Sequence, residues 1–122
     1  MSKKNKLGDC FENSVELMME NRGVDFILVH GLVTGTGGDV IGMRYVHAWV
    51  ELGNIVIDTS REMNTPVIKA KNNYYEIGKI KASETKRYNL KEVADMVLKY
   101  KVYGPWEIKA TKEELAYEKT LT

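Results

Sequence analysis

Apolar residues recur at helical spacing at the start of the chain and again toward its end, and alternate or run together between. Phe11, Val15, Met18 and Arg22 fall on one stripe, which predicts a helix over 10–22 with most of that stripe toward the core. Asp9 and Glu12 have the spacing of a capping box before it, and Gly23 stands where a left-handed residue ends a helix. Residues 26–33 are β-branched and apolar and predict a strand, followed by the turn chemistry of 34–39. Residues 43–52 predict the next strand, with Val46, Ala48 and Val50 alternating against His47, Trp49 and Glu51. Gly53-Asn54 is a hairpin signal, and 55–58 is the returning strand. One or two further strands are expected within 74–88. A helix over 89–101 should start on a second capping box, Asn89 and Glu92, and stop before Gly104-Pro105. Thr111 and Glu114 would cap a short last helix.

This order predicts an α+β fold: an N-terminal helix packed on an antiparallel sheet, with peripheral C-terminal helices, in one domain spanning 1–122. A chain of 122 residues can bury a core without disulfides, and with one cysteine it can form none internally. Lys and Arg number 18 against 17 Asp and Glu, so the basic excess of a nucleic-acid binder is missing. The start, Ser2-Lys3-Lys4-Asn5-Lys6, is basic but short and reads as a solvated terminus. No apolar run approaches the ~18 residues of a membrane helix, and no signal-peptide pattern opens the chain. A cytoplasmic protein without nucleic-acid or membrane partners is expected.

Three residues change the picture from fold to chemistry. Cys10 would open the first helix, where unpaired N–H groups and the helix dipole favour an anion such as a thiolate. Asp9 opposes this slightly, so a base is needed nearby. His47 could accept the thiol proton or pair with the thiolate as imidazolium. Asp58 is brought to His47 by hairpin geometry. A two-residue Gly53-Asn54 loop pairs Leu52 with Ile55, sets Trp49 opposite Asp58, and leaves His47 diagonal to Asp58 on the same face, about 7–8 Å away along the backbone. A Leu52-Gly53 loop would put His47 directly opposite Asp58. A three-residue loop would separate them to opposite faces. The carboxylate would fix the imidazole tautomer and stabilise its charged form.

Gly8-Asp9-Cys10-Phe11, Leu17-Met18-Met19, Gly23-Val24-Asp25 and Val29-His30-Gly31, followed by His47-Ala48-Trp49-Val50-Glu51 and Ile57-Asp58-Thr59-Ser60, resemble the bacterial transglutaminase-like domain within the papain-like superfamily. The resemblance covers residues 8–60. It implies a papain/transglutaminase-like core with Cys10 as nucleophile, His47 as general base and acid, and Asp58 as orienting carboxylate. The chain departs from the family in lacking proline after Asp58 and any clear counterpart of the oxyanion glutamine, for which Asn5 is the nearest substitute.

The remaining signals are weaker. His30 reads as a strand histidine with a satisfied ring, with an alternative base or a substrate contact as its other roles. Trp49 shares the His47 face and could line a pocket or pack the core. A zinc site from Cys10, His30 and His47 lacks the usual closely spaced ligand pairs. Gly35-Thr36-Gly37-Gly38 lacks the Lys-Ser/Thr of a phosphate loop. The expected function is thiol-dependent hydrolysis or acyl transfer at an amide, isopeptide or ester of a peptide, protein or small molecule, without metal or organic cofactor. The alternative is a catalytically inactive transglutaminase-like binding module that acts through protein partners. A redox-sensing cysteine would account for Cys10 but not for the alignment of His47 with Asp58.

Overall fold

The computed structural model describes residues 9–59 and 66–120. Within them the elements run α1 (Asp9–Glu20), β1 (Ile27–Thr34), β2 (Arg44–Leu52), β3 (Ile55–Asp58), β4 (Val67–Ala70), α2 (Lys71–Ile77), β5 (Thr85–Tyr88), α3 (Leu90–Tyr100) and α4 (Lys112–Thr120). The strands form one sheet in the order β4-β3-β2-β1-β5, every neighbouring pair antiparallel. The protein is α+β, and no helix among the described residues is long and apolar enough to cross a membrane.

Both faces of the sheet centre are covered, so residues 46–51 of β2 are buried without a break. Leu28, Val46, Ala48 and Val50 pack against Cys10, Phe11, Val15 and Met18 of α1 and Val93 of α3. The other face carries Val29, Val33, Trp49 and Val56, under Ile80 and the two tyrosines of α2, Tyr74 and Tyr75. Alternation in β2 therefore divides two buried faces rather than core from solvent. At the β1–β2 pairing, Gly31 stands opposite His47. A Cβ on Gly31 would come within 2.8 Å of the Trp49 indole, so glycine here lets that ring lie across β1.

β2 outruns its neighbour. The β2–β3 ladder consists of Leu52–Ile55, Glu51–Val56 and Val50–Ile57, leaving the start of β2 with a bare edge. Period two sends the N–H groups of Arg44, Val46 and Ala48 to that edge. Each has a partner from elsewhere: Glu113 Oε1 at 3.2 Å, Glu114 Oε1 at 3.0 Å and Cys10 Sγ at 3.4 Å. The Thr111 hydroxyl also donates to the Arg44 carbonyl at 2.6 Å. The C-terminal helix thus closes most of an edge that the short β3 cannot reach.

Several boundaries and two elements differ from the sequence reading. α1 starts at Asp9 rather than Cys10, so Asp9 is helical, and Gly8 before it lies outside the described residues. α1 ends at Glu20, where the Asn21 side chain donates to the Leu17 carbonyl at 2.8 Å; Gly23 is not left-handed. Arg22 lies beyond the helix and is exposed. The segment 74–88 holds one strand, β5, while its first residues belong to α2. α2 lacks an apolar stripe: in its sequence, Lys-Asn-Asn-Tyr-Tyr-Glu-Ile, the two half-buried tyrosines are seated by their hydroxyl contacts instead. The edge strand β4 was not foreseen, because only Val67 and Ile68 in it are clearly apolar. The caps held. Asn89 and Glu92 form a reciprocal capping box on α3, and Thr111 and Glu114 exchange the same two bonds at α4.

Candidate active site

The Gly53-Asn54 loop takes the first of the two registers considered above. Leu52 pairs with Ile55, and Gly53 adopts φ +58°, a left-handed value that glycine takes without steric cost. Extending the ladder sets Trp49 against Asp58 and leaves His47 diagonal to it. The diagonal closes through the side chains, with His47 Nε2 and Asp58 Oδ2 3.1 Å apart.

Cys10 belongs to the helix on the opposite, Ala48 face, yet its sulfur reaches the same spot. It does so where the β2–β3 ladder ends, and the thiol accepts the Ala48 N–H that β3 leaves unpaired. Beyond Asp58 the chain is tied to α1: Asn13 Nδ2 donates to the Thr59 carbonyl at 3.3 Å, and the Ser14 and Thr59 hydroxyls lie 3.5 Å apart. The helix bearing Cys10 and the strand bearing Asp58 are thereby joined one turn below the sulfur. A groove of about 220 Å³ runs beside this junction, lined by Asn13, Glu16, Leu17, Glu20, Thr59 and Pro66.

The electrostatics centre on His47. Burial pushes its ring toward the neutral form, but the charges of Cys10 and Asp58 and hydrogen bonds to both outweigh burial and hold His47 well above the ordinary histidine range. The ring thus lies between two anion-forming groups that favour its charged form. Its ring stacks on Trp49 with centroids 6.0 Å apart and meets the edge of Tyr45 at 5.8 Å. All three members of the constellation are largely covered, with Cys10 2%, His47 6% and Asp58 9% exposed.

Trp49 lies behind His47 and is fully buried. Its indole N–H donates to Glu51 Oε2 at 2.9 Å. Tyr75 donates to the same oxygen at 2.5 Å, and Arg87 and Lys71 approach Oε1 at 2.9 and 3.3 Å. Burial alone would raise the Glu51 carboxyl, but these donors hold it below its usual value. Trp49 is thus part of the wall that supports His47 rather than a surface open to solvent.

His30 does not join the constellation. Its ring lies on the α1 face, also fully buried, among Phe11, Tyr88 and Trp106 at centroid distances of 5.0, 5.2 and 4.9 Å. Neither ring nitrogen has a hydrogen-bond partner among the described residues. Burial, with a smaller push from His47, lowers its pKa to about 3, so the ring is neutral at ordinary pH. Among the described residues no three His, Cys, Asp or Glu side chains are grouped to hold a metal ion. Asn5 lies outside the described residues.

Sequence reasoning missed Tyr74, whose hydroxyl donates to Asp58 Oδ2 at 2.7 Å. No local pattern announces this contact, since α2 is not marked by periodicity and Tyr74-Tyr75 reads as core. Glu114 was recognised as a cap, but its bond to the Val46 N–H, next to His47, needs the tertiary fold. No family model, no curated protein and no solved structure matches the chain.

Proposed function

We propose that the protein is a thiol-dependent hydrolase or acyltransferase that acts on an amide, isopeptide or ester bond through Cys10, His47 and Asp58. The observation that carries this reading is the 3.1 Å His47–Asp58 pair meeting the thiol of a helix from the opposite face of the sheet. The chain order of a cysteine near a helix start, a strand histidine and a strand aspartate is that of the papain/transglutaminase-like arrangement, which the motifs in 8–60 resemble.

The chemistry follows from the charges. The Cys10 thiolate attacks the carbonyl carbon, and the carbonyl oxygen takes up the displaced electron pair. The N–H of Cys10, in the first turn of α1, can serve as one donor to that oxygen. The His47 imidazolium gives its proton to the departing nitrogen or oxygen, leaving a Cys10 thioester. Neutral His47 then takes a proton from water or an amine, which attacks the thioester and releases the Cys10 thiolate, restoring the thiolate and imidazolium. Asp58 holds the ring in place and stabilises its charged form throughout.

An activated ester tests the reading without knowledge of the natural substrate. With p-nitrophenyl acetate, a burst of nitrophenol should accompany a 42-Da acetyl adduct (roughly, for a thioester intermediate) on the peptide containing Cys10. Cys10→Ser should abolish both, and His47→Ala should slow both by about a hundredfold or more. Acetylation spread over lysines, with no adduct on Cys10, would refute the assignment.

The 2% exposure of Cys10 favours a second reading, in which the same fold is a binding module whose site does no chemistry. On that reading the parent and Cys10→Ser would behave alike toward the ester.

A further inference from the structure

Asp58 Oδ2 accepts from two donors of different origin. His47 Nε2 approaches along the hairpin at 3.1 Å, and the Tyr74 hydroxyl descends from α2 at 2.7 Å. We propose that Tyr74 is a positioning residue of the site, fixing the Asp58 carboxylate against His47 so that the imidazolium is maintained. The proposal rests on the acyl-transfer reading of the site given above.

The Asp58 backbone is held by its pairing with Val67 of β4, but the backbone does not set the carboxylate plane. An aspartate χ2 torsion is broad and roughly two-fold, so side-chain contacts must select its orientation. A phenol is suited to that task when it remains a donor. Burial, and then the Asp58 charge beside it, push the Tyr74 hydroxyl well above its ordinary range, so it keeps its proton. It meets the same carboxylate oxygen as His47, which directs that oxygen into the site.

The neighbouring residue shows how Tyr74 is delivered. Tyr75, next on α2, donates to Glu51, which Trp49, Lys71 and Arg87 also hold. Both tyrosine rings rest on Trp49, with centroids at 5.4 and 5.9 Å. Two adjacent phenols thus dock one short helix on the His47 face. Tyr75 anchors it to the Glu51 node, and Tyr74 carries the contact to Asp58. The pair provides an internal control, because loss of either hydroxyl weakens the docking of α2 but only one touches the site.

The chain has two histidines, and His30 stays neutral down to about pH 3, so ¹⁵N-histidine NMR follows His47 alone above that. In Tyr74→Phe, His47 should lose its proton at a pH lower by about one unit. Its kcat for the activated ester should fall about tenfold with KM unchanged. Tyr75→Phe, whose hydroxyl meets Glu51 and not Asp58, should move both far less. The proposal is overturned if Tyr74→Phe leaves the His47 titration at the parent value, or if Tyr75→Phe reproduces the change. The titration needs no substrate, so its failure is separable from that of the acyl-transfer reading. A shifted titration in a protein without turnover would refute the chemistry but retain the positioning contact.

Discussion

His30 and His47 sit on neighbouring strands, opposite Ala48 and Gly31 respectively, yet their surroundings push them in opposite directions. His47 lies between the thiol and the carboxylate and favours the charged form. His30 lies in an aromatic box and favours the neutral form. The one-residue offset sends the two rings to opposite faces. The His30 ring makes stability depend on acid. Folded, it takes a proton only near pH 3; unfolded, near 6.5. Between those values the unfolded chain binds more protons, so stability falls as pH is lowered through this window. His30→Leu should remove that dependence, flattening the urea-unfolding free energy by up to about 1.4 kcal/mol per pH unit. It should also raise stability at neutral pH by roughly 1–2 kcal/mol, since two buried unpaired nitrogens disappear. An unchanged acid slope would show that His30 is not the buried neutral ring described. The contact of His47 with Asp58 was legible from hairpin register, but nothing in Val29-His30-Gly31 indicates Trp106, which closes the box from far along the chain.

At the scale of elements, caps and turns were the most legible features because their chemistry is local. The α3 and α4 capping boxes and the two-residue hairpin loop each follow from residues within a few positions of one another. α2 and β4 were not legible, since one is seated by tyrosine hydroxyls and the other is a short exposed edge. Glu114 joins the two kinds of information: it caps α4 through the Thr111 N–H and fills the bare edge of β2 through the Val46 N–H. Glu114→Ala should therefore cost more than the ~1 kcal/mol of an ordinary cap. Loss of the second, buried acceptor brings the expected total to about 2–3 kcal/mol by denaturant unfolding. A loss of only a few tenths would mean that α4 does not guard β2.

Over the whole molecule, the site depends on an imperfect sheet. Had β3 matched β2 in length, the Ala48 N–H would be paired within the ladder and the thiol would have no place at the strand edge. The early end of that ladder is what lets a helix on one face reach a histidine on the other. The sequence shows the constellation because hairpin register is computable from loop length, and a cysteine near a helix start is a local signal. It does not show the closure of the site, which draws Tyr74 from α2 and Glu114 from α4 across long separations. Cys10 is only 2% exposed, so a small electrophile is the proper probe.

The central claim is that Cys10 and His47 work as one proton-sharing pair, and the pH dependence of Cys10 alkylation by iodoacetamide tests it most directly. A free thiol, with a pKa near 8.5, is nearly all protonated and slow at about pH 6. In the parent, alkylation should already be fast there, and His47→Ala should slow it by about tenfold or more while leaving the rate at about pH 9 little changed. Equal profiles for the two proteins, or no reaction of Cys10 in either, would contradict the account.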